Sequence, residues 1–262
     1  MHRLYTLLIV VALFAIVTAA GAAEFENYPQ YRYASGLPGG TFAVDPDGHA
    51  GFEGVMQINI PIGYTPGAGN YALAASAGAI DGSFPTQMSG PRVNGSVPWG
   101  FGLGGPDHAV WLADMNTGHA NTGESAYNAQ FQIKRQSEKW PGISMGVLDW
   151  ADQRPARLSR FTQGGGRSFF AAATWEAGTP EKPLYYTVGL GTRRYNGLFA
   201  GLSYQPQERV KLMAEYDGWN PNIGVAYDIA RYEDNWHLIG GVSLIDMDRF
   251  NVGFALTRSP HK

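Results

Sequence analysis

In the last quarter of the chain, apolar side chains recur at every second position. The pattern covers three segments, 210–217, 222–229 and 250–257. In the first segment, Val210, Leu212, Ala214 and Tyr216 alternate with Lys211, Met213, Glu215 and Asp217. Because successive side chains of a strand point to opposite faces, each segment is predicted to be a strand with one apolar and one polar or small face. Repeated about every twelve residues behind a secretion signal, this pattern is typical of a bacterial outer-membrane β-barrel.

The N-terminus has the layout of a secretory signal. Arg3 supplies a positive charge, residues 4–17 form an apolar run, and Ala20-Gly21-Ala22 is a small-residue cleavage site. We therefore predict a signal peptide over residues 1–22 and a mature chain that begins at Ala23 or Glu24. The alternative, an uncleaved membrane anchor, is disfavoured because the apolar run is short for a span.

Composition narrows the class of protein further. The chain has no cysteine, so disulfides and thiol chemistry are excluded. Its formal net charge is −3, which offers no basic surface for nucleic acid. Charged residues make up 16% of the chain, below the average of about 25% for soluble domains, while glycine and aromatic residues are abundant. This balance suits strands that have one face towards lipid and are joined by tight turns.

The mature chain divides into a turn-rich lead-in over residues 23–40 and a barrel over residues 41–262. The lead-in is expected on the periplasmic side, with folding under or into the barrel as the alternative. Turn residues bound the predicted strands. These are 41–45, 52–60, 71–80, 97–103, 109–115, 127–134, 142–150, 168–176, 184–191, 197–204, 209–217, 222–230, 236–245 and 249–257. The fold class is therefore all-β, an antiparallel transmembrane β-barrel of about twelve strands and at most fourteen. An even number is expected because both termini of the chain then lie on the periplasmic side.

Polar side chains on the inward face of these strands are the candidates for a pore lining or a ligand site. Near the C-terminus they are Lys211, Glu215, Asp217, Asn222, Asp228, His237, Ser243, Arg249 and Asn251. An earlier strand adds Asn128, Gln130, Gln132 and Lys134. The simpler interpretation is that they only solvate the lumen or link its strands, as polar residues do inside any barrel.

The loop over residues 151–166 carries Arg154, Arg157 and Arg160. From an outer loop these side chains could contact anionic lipopolysaccharide or polysaccharide, and the alternative is an ordinary solvated loop. Counting strands back from the C-terminus puts this loop on the outer side and the turn at 205–208 on the periplasmic side.

Catalytic and metal-binding patterns are weak. His237 and Ser243 share a strand face but are six residues apart, about 20 Å by strand rise, so they are not expected to form a Ser-His-acid site. The Asp45/Asp47 and Asp246/Asp248 pairs are explained better by turns than by Ca²⁺, because no full loop of oxygen ligands follows. We therefore predict a non-enzymatic protein with no cofactor and no metal.

One hairpin resembles a known family. Glu215-Tyr216-Asp217-Gly218, followed by Asn222-x-Gly224-x-x-Tyr227, is similar to a recurrent hairpin of the YjbH-like outer-membrane family. The early segments 35–40 and 54–61 also resemble this family, but more weakly. The resemblance implies a lipid-embedded barrel associated with exopolysaccharide production or export, although typical members are far longer.

Three functional hypotheses follow. The first is an outer-membrane β-barrel of the bacterial envelope, as a small pore or an accessory of exopolysaccharide export, with lipid, lipopolysaccharide, polysaccharide and export components as its partners. The second is a barrel enzyme that acts on envelope lipid or glycan. The third is a soluble periplasmic β-sandwich that binds a ligand.

Overall fold

The computed structural model describes residues 35–79, 93–117, 124–151, 167–195, 197–247 and 249–260. Two short strands come first, β1 (Ala43–Val44) and β2 (Ala50–Gly51), and pair with each other, while Val44 also forms an isolated bridge with Val55. Twelve longer strands follow: β3 (Tyr71–Ala79), β4 (Val93–Leu103), β5 (Val110–Thr117), β6 (Glu124–Lys134), β7 (Gly142–Leu148), β8 (Ser168–Thr179), β9 (Lys182–Gly191), β10 (Gly197–Gln207), β11 (Val210–Tyr216), β12 (Pro221–Tyr232), β13 (Trp236–Ile245) and β14 (Arg249–Arg258). The predicted signal peptide, residues 23–34 and the loop arginines Arg154, Arg157 and Arg160 lie outside the described residues.

Strands β3 to β14 form a closed antiparallel barrel. Each pairs with its neighbours in chain order, and β14 closes on β3 from Asn251↔Gly78 to Arg258↔Tyr71. Closure leaves no exposed strand edge. The prediction of an all-β, twelve-stranded antiparallel barrel is confirmed, and the alternative of a β-sandwich is wrong. No helix in the described parts of the chain is long and apolar enough to cross a membrane.

The two ends of the barrel differ in the length of their connections. At the short-turn end the links include residues 180–181 and 208–209, whereas the long-loop end carries residues 80–92 and 149–167. The chain enters the barrel at Tyr71 and leaves it at Arg258, both at the short-turn end. The predicted placement of the 151–166 loop and the 205–208 turn at opposite ends is therefore confirmed.

The barrel wall is apolar outside and polar inside. Leu73, Val97, Leu190, Val242 and Phe254 point outward and are 45–62% exposed. Inward positions carry polar side chains that are fully buried, and these include Gln130, Thr174, Ser203, Lys211 and Asp228. A water-soluble barrel has the reverse arrangement. This distribution is the one expected of a barrel surrounded by lipid.

Residues 35–70, which we call the plug, lie inside the barrel. The Gly36 carbonyl oxygen accepts a hydrogen bond from Trp111 Nε1 of β5 (2.7 Å). On a distant part of the wall, the Met56 N–H donates to Ser203 Oγ of β10 (3.2 Å). Contacts with both sides of the barrel mean that the plug fills the lumen rather than lining one wall.

The plug traverses the lumen three times. Leu37 belongs to an apolar cluster at the long-loop end with Leu148 and Phe199. Asp47 then pairs with Arg135 at the short-turn end. The chain returns to the apolar cluster at residue 60 and descends again to join β3 at residue 71. Its hydrophobic side chains pack against each other and against small inward residues of the wall.

Two predicted strands are not barrel strands. The segment 41–45 contributes only the two-residue β1, and 52–60 is extended but lies within the plug. Its amides are not part of the barrel sheet, because those of Met56, Ile58 and Asn59 bond to side chains of the wall and those of Val55 and Gln57 bond to backbone within the plug. Gly54 also turns the chain sharply, with a φ of +94° that favours glycine. The barrel sheet therefore begins at Tyr71, and residues 41–70 fill it.

Candidate functional site

The strongest attachment of the plug to the wall is at Glu215 of β11. Its Oε2 accepts the Ile58 N–H at 2.8 Å, and its Oε1 accepts the Asn59 N–H at 2.7 Å. Asn222 of β12 also donates its Nδ2 to Oε1 at 3.0 Å. Glu215 is almost fully buried. Hydrogen bonds to a buried carboxylate are stronger than neutral ones, so Glu215 fixes the second pass of the plug.

A ladder of amide side chains on β6 holds the third pass. Gln130 Nε2 donates to the carbonyl oxygens of Ile62 (3.1 Å) and Tyr64 (2.9 Å). On the same strand, Gln132 Oε1 accepts the Thr65 N–H at 2.7 Å. These side chains satisfy backbone groups that would otherwise be buried without partners. The ladder therefore replaces a strand-to-strand pairing.

Lys211 of β11 meets the plug at its sharpest turn. Its Nζ donates to the Gly54 carbonyl oxygen and lies 5.1 Å from the centroid of the Phe52 ring. The side chain is fully buried. The close fit at this point also depends on glycine, because a Cβ on Gly54 would overlap the Val44 carbonyl.

A buried ion pair fixes the long-loop end above the plug. Arg194 Nη2 donates to Asp217 Oδ2 at 3.0 Å, and both side chains are at most 3% exposed. Asp217 Oδ1 accepts the N–H groups of Trp219 (3.0 Å) and Asn220 (2.9 Å). Burial alone would raise the pKa of the Asp217 carboxyl, but Arg194 and these two amides outweigh it, so its pKa lies below the ordinary value.

Beside this pair, Tyr195 packs on Phe170 and Phe199, with ring centroids 5.7 and 5.1 Å away. The three rings belong to the apolar cluster that contains Leu37 and Ile60 of the plug. The ion pair therefore lies against the aromatic layer that covers the upper end of the plug.

At the short-turn end, plug and wall enclose a polar cavity of about 290 Å³. His49 Nδ1 lies 3.0 Å from Asp45 Oδ2 on the plug side. On the wall side, His237 Nδ1 lies 3.3 Å from Asp228 Oδ2, which also accepts a hydrogen bond from Arg231. The cavity is the open mouth of the plug–wall interface.

The structure brings most of the predicted inward residues to this interface. Lys211, Glu215, Asn222 and Asp228 are buried in the lumen, and His237 lies at the mouth. Asn128 donates its Nδ2 to the Ser35 carbonyl oxygen, and Ser243 pairs with Asn251 at 3.3 Å. Arg249 faces inward, half-buried, at the start of β14.

One inward prediction needs correction. Lys134 is exposed, and its Nζ lies 3.9 Å from the centroid of the Trp140 ring, because a bulge after Gln132 turns it out of the lumen. Asp217 follows the end of β11 and is buried against Arg194 at the long-loop end. Arg194 was not predicted as a functional residue, because no motif or alternation in the sequence marks this turn.

The acidic turn in the plug is explained by local hydrogen bonding. The ligand atoms of Asp45, Asp47 and His49 lie within 4.8 Å of one another. However, Asp45 Oδ1 accepts the N–H groups of Asp47 (3.0 Å) and His49 (2.8 Å), and Asp47 pairs with Arg135. These are turn interactions, as predicted from the sequence.

His237 and Ser243 do not meet. In the strand register His237 lies opposite Arg231 and Ser243 lies opposite Gly224. Each side chain has its own partner, Asp228 and Asn251 respectively. No Ser-His-acid arrangement is therefore formed by these two residues.

No family model and no curated protein matches the chain. Among solved structures, it is similar to the KdgM porin in complex with disordered oligogalacturonate (9% identity, 72% of this chain and 99% of that chain, TM-score 0.47). It is also similar to the Acinetobacter baumannii outer membrane protein Omp33 (7% identity, 72% and 97%, TM-score 0.43). A third is outer membrane phospholipase A from Escherichia coli (10% identity, 75% and 94%, TM-score 0.41). At these values the similarity says nothing about a ligand or a reaction.

Proposed function

We propose that the protein is an outer-membrane β-barrel of the bacterial envelope whose lumen is closed by its own plug. The observation that carries this proposal is a closed wall of twelve strands with an apolar outside and a polar, filled inside. Such a wall exposes its apolar face to lipid, and its closure lets the backbone groups of every strand edge form hydrogen bonds.

A permanently open pore does not fit the contacts in the lumen. Lys211 and Glu215 are bound to plug backbone, so they are not free to line a channel. Passage through the barrel would require the plug to move. The protein therefore acts as a barrel that opens only on displacement of the plug, or as a structural accessory of an export system.

The association with exopolysaccharide is the finer part of the proposal. It is supported by the resemblance of residues 215–227 to the YjbH-like hairpin. Within that hairpin, Glu215 binds the plug and Asn222 donates a hydrogen bond to Glu215, so the motif contributes to holding the plug in this barrel. If the association holds, deletion of the gene lowers secreted polysaccharide, and re-expression of the intact chain restores it. Unchanged secretion in the deletion strain would contradict it.

Conductance in a planar bilayer tests the central proposal. We expect the refolded full chain to insert tightly and carry no steady current, because the plug fills the lumen. A variant that lacks residues 35–69 should insert and give well-defined conductance steps. Failure of both proteins to insert would contradict the membrane location, and steady current through the full chain would contradict closure by the plug.

A further inference from the structure

Two cavities lie along the same side of the plug. The polar cavity at the short-turn end, which we call the mouth cavity, has Arg231 of β12 and His237 of β13 on its wall side. A second cavity of about 40 Å³, the inner cavity, lies nearer the long-loop end, between the plug and a wall sector that includes β3, β13 and β14. Gly241 and Ser243 line it and follow His237 on the inward face of β13. The two cavities therefore mark one seam between plug and wall.

A layer of apolar residues separates the two cavities. On the inward face of β13, Ile239 lies between His237 and Gly241. It is opposite Ala255 of β14, which in turn is opposite Ala74 of β3. The three apolar side chains of this layer are at most 5% exposed and belong to the same buried cluster as the apolar side chains of the plug. The seam is therefore closed by hydrophobic contact between its two cavities.

The cavities on either side of this layer are polar. Asp45, Glu53 and Arg231 contribute charged groups to the mouth cavity. Asp228 lies opposite Ile239 in the register, but its Oδ2 accepts a hydrogen bond from Arg231 at the mouth. The described residues that line the inner cavity are uncharged, and the polar ones include Thr41, Ser76, Ser243 and Asn251. Water is therefore favoured on both sides of the layer and disfavoured within it.

The other side of the plug is held by hydrogen bonds. The wall side chains that bond to plug backbone include Trp111, Asn128, Gln130, Gln132, Ser144, Thr174, Ser203, Lys211 and Glu215. Along the seam the wall instead presents small side chains, at Ala72, Ala74, Ser76, Gly241 and Gly253. Buried hydrogen bonds are costly to break, whereas apolar packing has no directional requirement. A small movement of the plug should therefore open the seam and leave the bonded side intact.

We infer that this seam is a path for water and small ions, and that Ile239, Ala255 and Ala74 form its hydrophobic gate. This inference rests on the proposed function, because it concerns the lumen of a membrane-embedded barrel. The path runs from the mouth cavity through the gate to the inner cavity and to Arg249 at the long-loop end. The inner cavity has room for about three water molecules, so it is too small for a sugar ring.

Conductance in a planar bilayer tests the gate. The unmodified full chain should carry no steady current in KCl, as the proposed function requires. Ile239→Ser makes the gate smaller and polar, so we expect brief conducting events to become roughly tenfold more frequent. Leu148→Ser is the matched control, because Leu148 is an equally buried inward residue on β7, away from the seam. It should leave the frequency of conducting events unchanged.

A second pair of variants makes the same comparison with a smaller change. Ala255→Ser adds one hydroxyl group to the gate. Ala172→Ser adds the same group at a buried inward position of β8, on the bonded side of the plug. We expect more frequent conducting events in Ala255→Ser and no change in Ala172→Ser. This pair keeps the gate testable if Ile239→Ser does not fold.

Large ions distinguish the seam from loss of the whole plug. Replacing KCl by tetrabutylammonium gluconate should abolish the current of the gate variants, because the inner cavity admits only a few water molecules. Current that persists would show that the plug leaves the lumen and would overturn the seam. Equal current within each matched pair, or silence in both folded gate variants, would overturn the gate while leaving the membrane location intact. A chain that does not insert, or steady current through the unmodified chain, contradicts the proposed function itself.

Discussion

At the level of single side chains, the charged groups inside the barrel differ in what they bind. Glu215 bonds to two plug amides, whereas Asp217 bonds to an arginine and two amides at the end of the wall. The first attaches the plug, and the second stabilises the cover above it. Removing Glu215 or Asp217 leaves different groups without partners, so the two substitutions are expected to have different effects.

Replacing Glu215 should loosen the plug. Glu215→Ala leaves the buried N–H groups of Ile58 and Asn59 unpaired, so we expect a loss of about 3 kcal/mol in the free energy of unfolding. Glu215→Gln keeps the acceptor but loses its charge and should cost about half as much. Urea unfolding in detergent micelles and hydrogen exchange at these two amides measure the effect. Glu208→Gln is the control, since Glu208 is 77% exposed; an equal loss there would contradict the assignment.

Replacing Asp217 should make the free energy of unfolding depend less on pH in the acidic range. Because the pKa of Asp217 is lowered in the folded state, its contribution is present above the pKa of the unfolded carboxyl and is lost as the pH falls through the folded value. At pH 7, Asp217→Asn leaves Arg194 buried without its anion and should cost about 3 kcal/mol. Unfolding midpoints compared from pH 7 downward should converge. A constant difference across this range would contradict the ion-pair explanation.

At the level of elements, the plug depends on wall side chains for its shape. Amides of its second and third passes bond to Ser203, Glu215, Thr174 and Gln132 of four different strands. Among the described residues, the sheet pairing within the plug is limited to β1 with β2 and to the bridge between Val44 and Val55. The plug is therefore expected to fold together with the barrel and not before it.

Gly54 is the position at which this element is most sensitive. It has a φ of +94°, and a Cβ there would overlap the Val44 carbonyl oxygen. We expect Gly54→Val to cost about 3 kcal/mol and to expose the plug to limited proteolysis while the strands remain paired. Gly105→Ala is the control, because a Cβ at Gly105 would meet nothing within 4 Å. A protected plug in Gly54→Val would contradict this account.

At the level of the whole molecule, the apolar outer wall decides where the protein can be stable. Phe254 points outward near the middle of β14 and is 51% exposed. In a bilayer, Phe254→Arg should cost about 2–4 kcal/mol, as expected for a charge near the midplane, and should slow folding into lipid vesicles. Glu208→Arg, in a turn, should have little effect. Equal folding yields for both variants would contradict a lipid-facing wall.

The sequence by itself determined the strands of the wall. Alternation fixes which side chains share a face, so the twelve strands and the inward positions of Lys211, Glu215 and Asp228 followed from local pattern alone. The same pattern misled at 52–60, because an extended segment alternates whether its partner is a strand or a set of side chains. The bulge after Gln132 could not be predicted either, since it depends on the neighbouring strand.

Only the tertiary structure decided what fills the lumen. The contacts that matter join residues far apart in the chain, such as Glu215 with Ile58 and Arg194 with Asp217, and no local pattern records such pairs. Polar side chains on the inward face are equally consistent with a lumen that contains water, a ligand or a plug. Closing the barrel places residues 35–70 within reach of every strand, and the buried backbone of that segment must then bond to the wall. The choice between an open and a filled barrel is therefore a property of the closed structure.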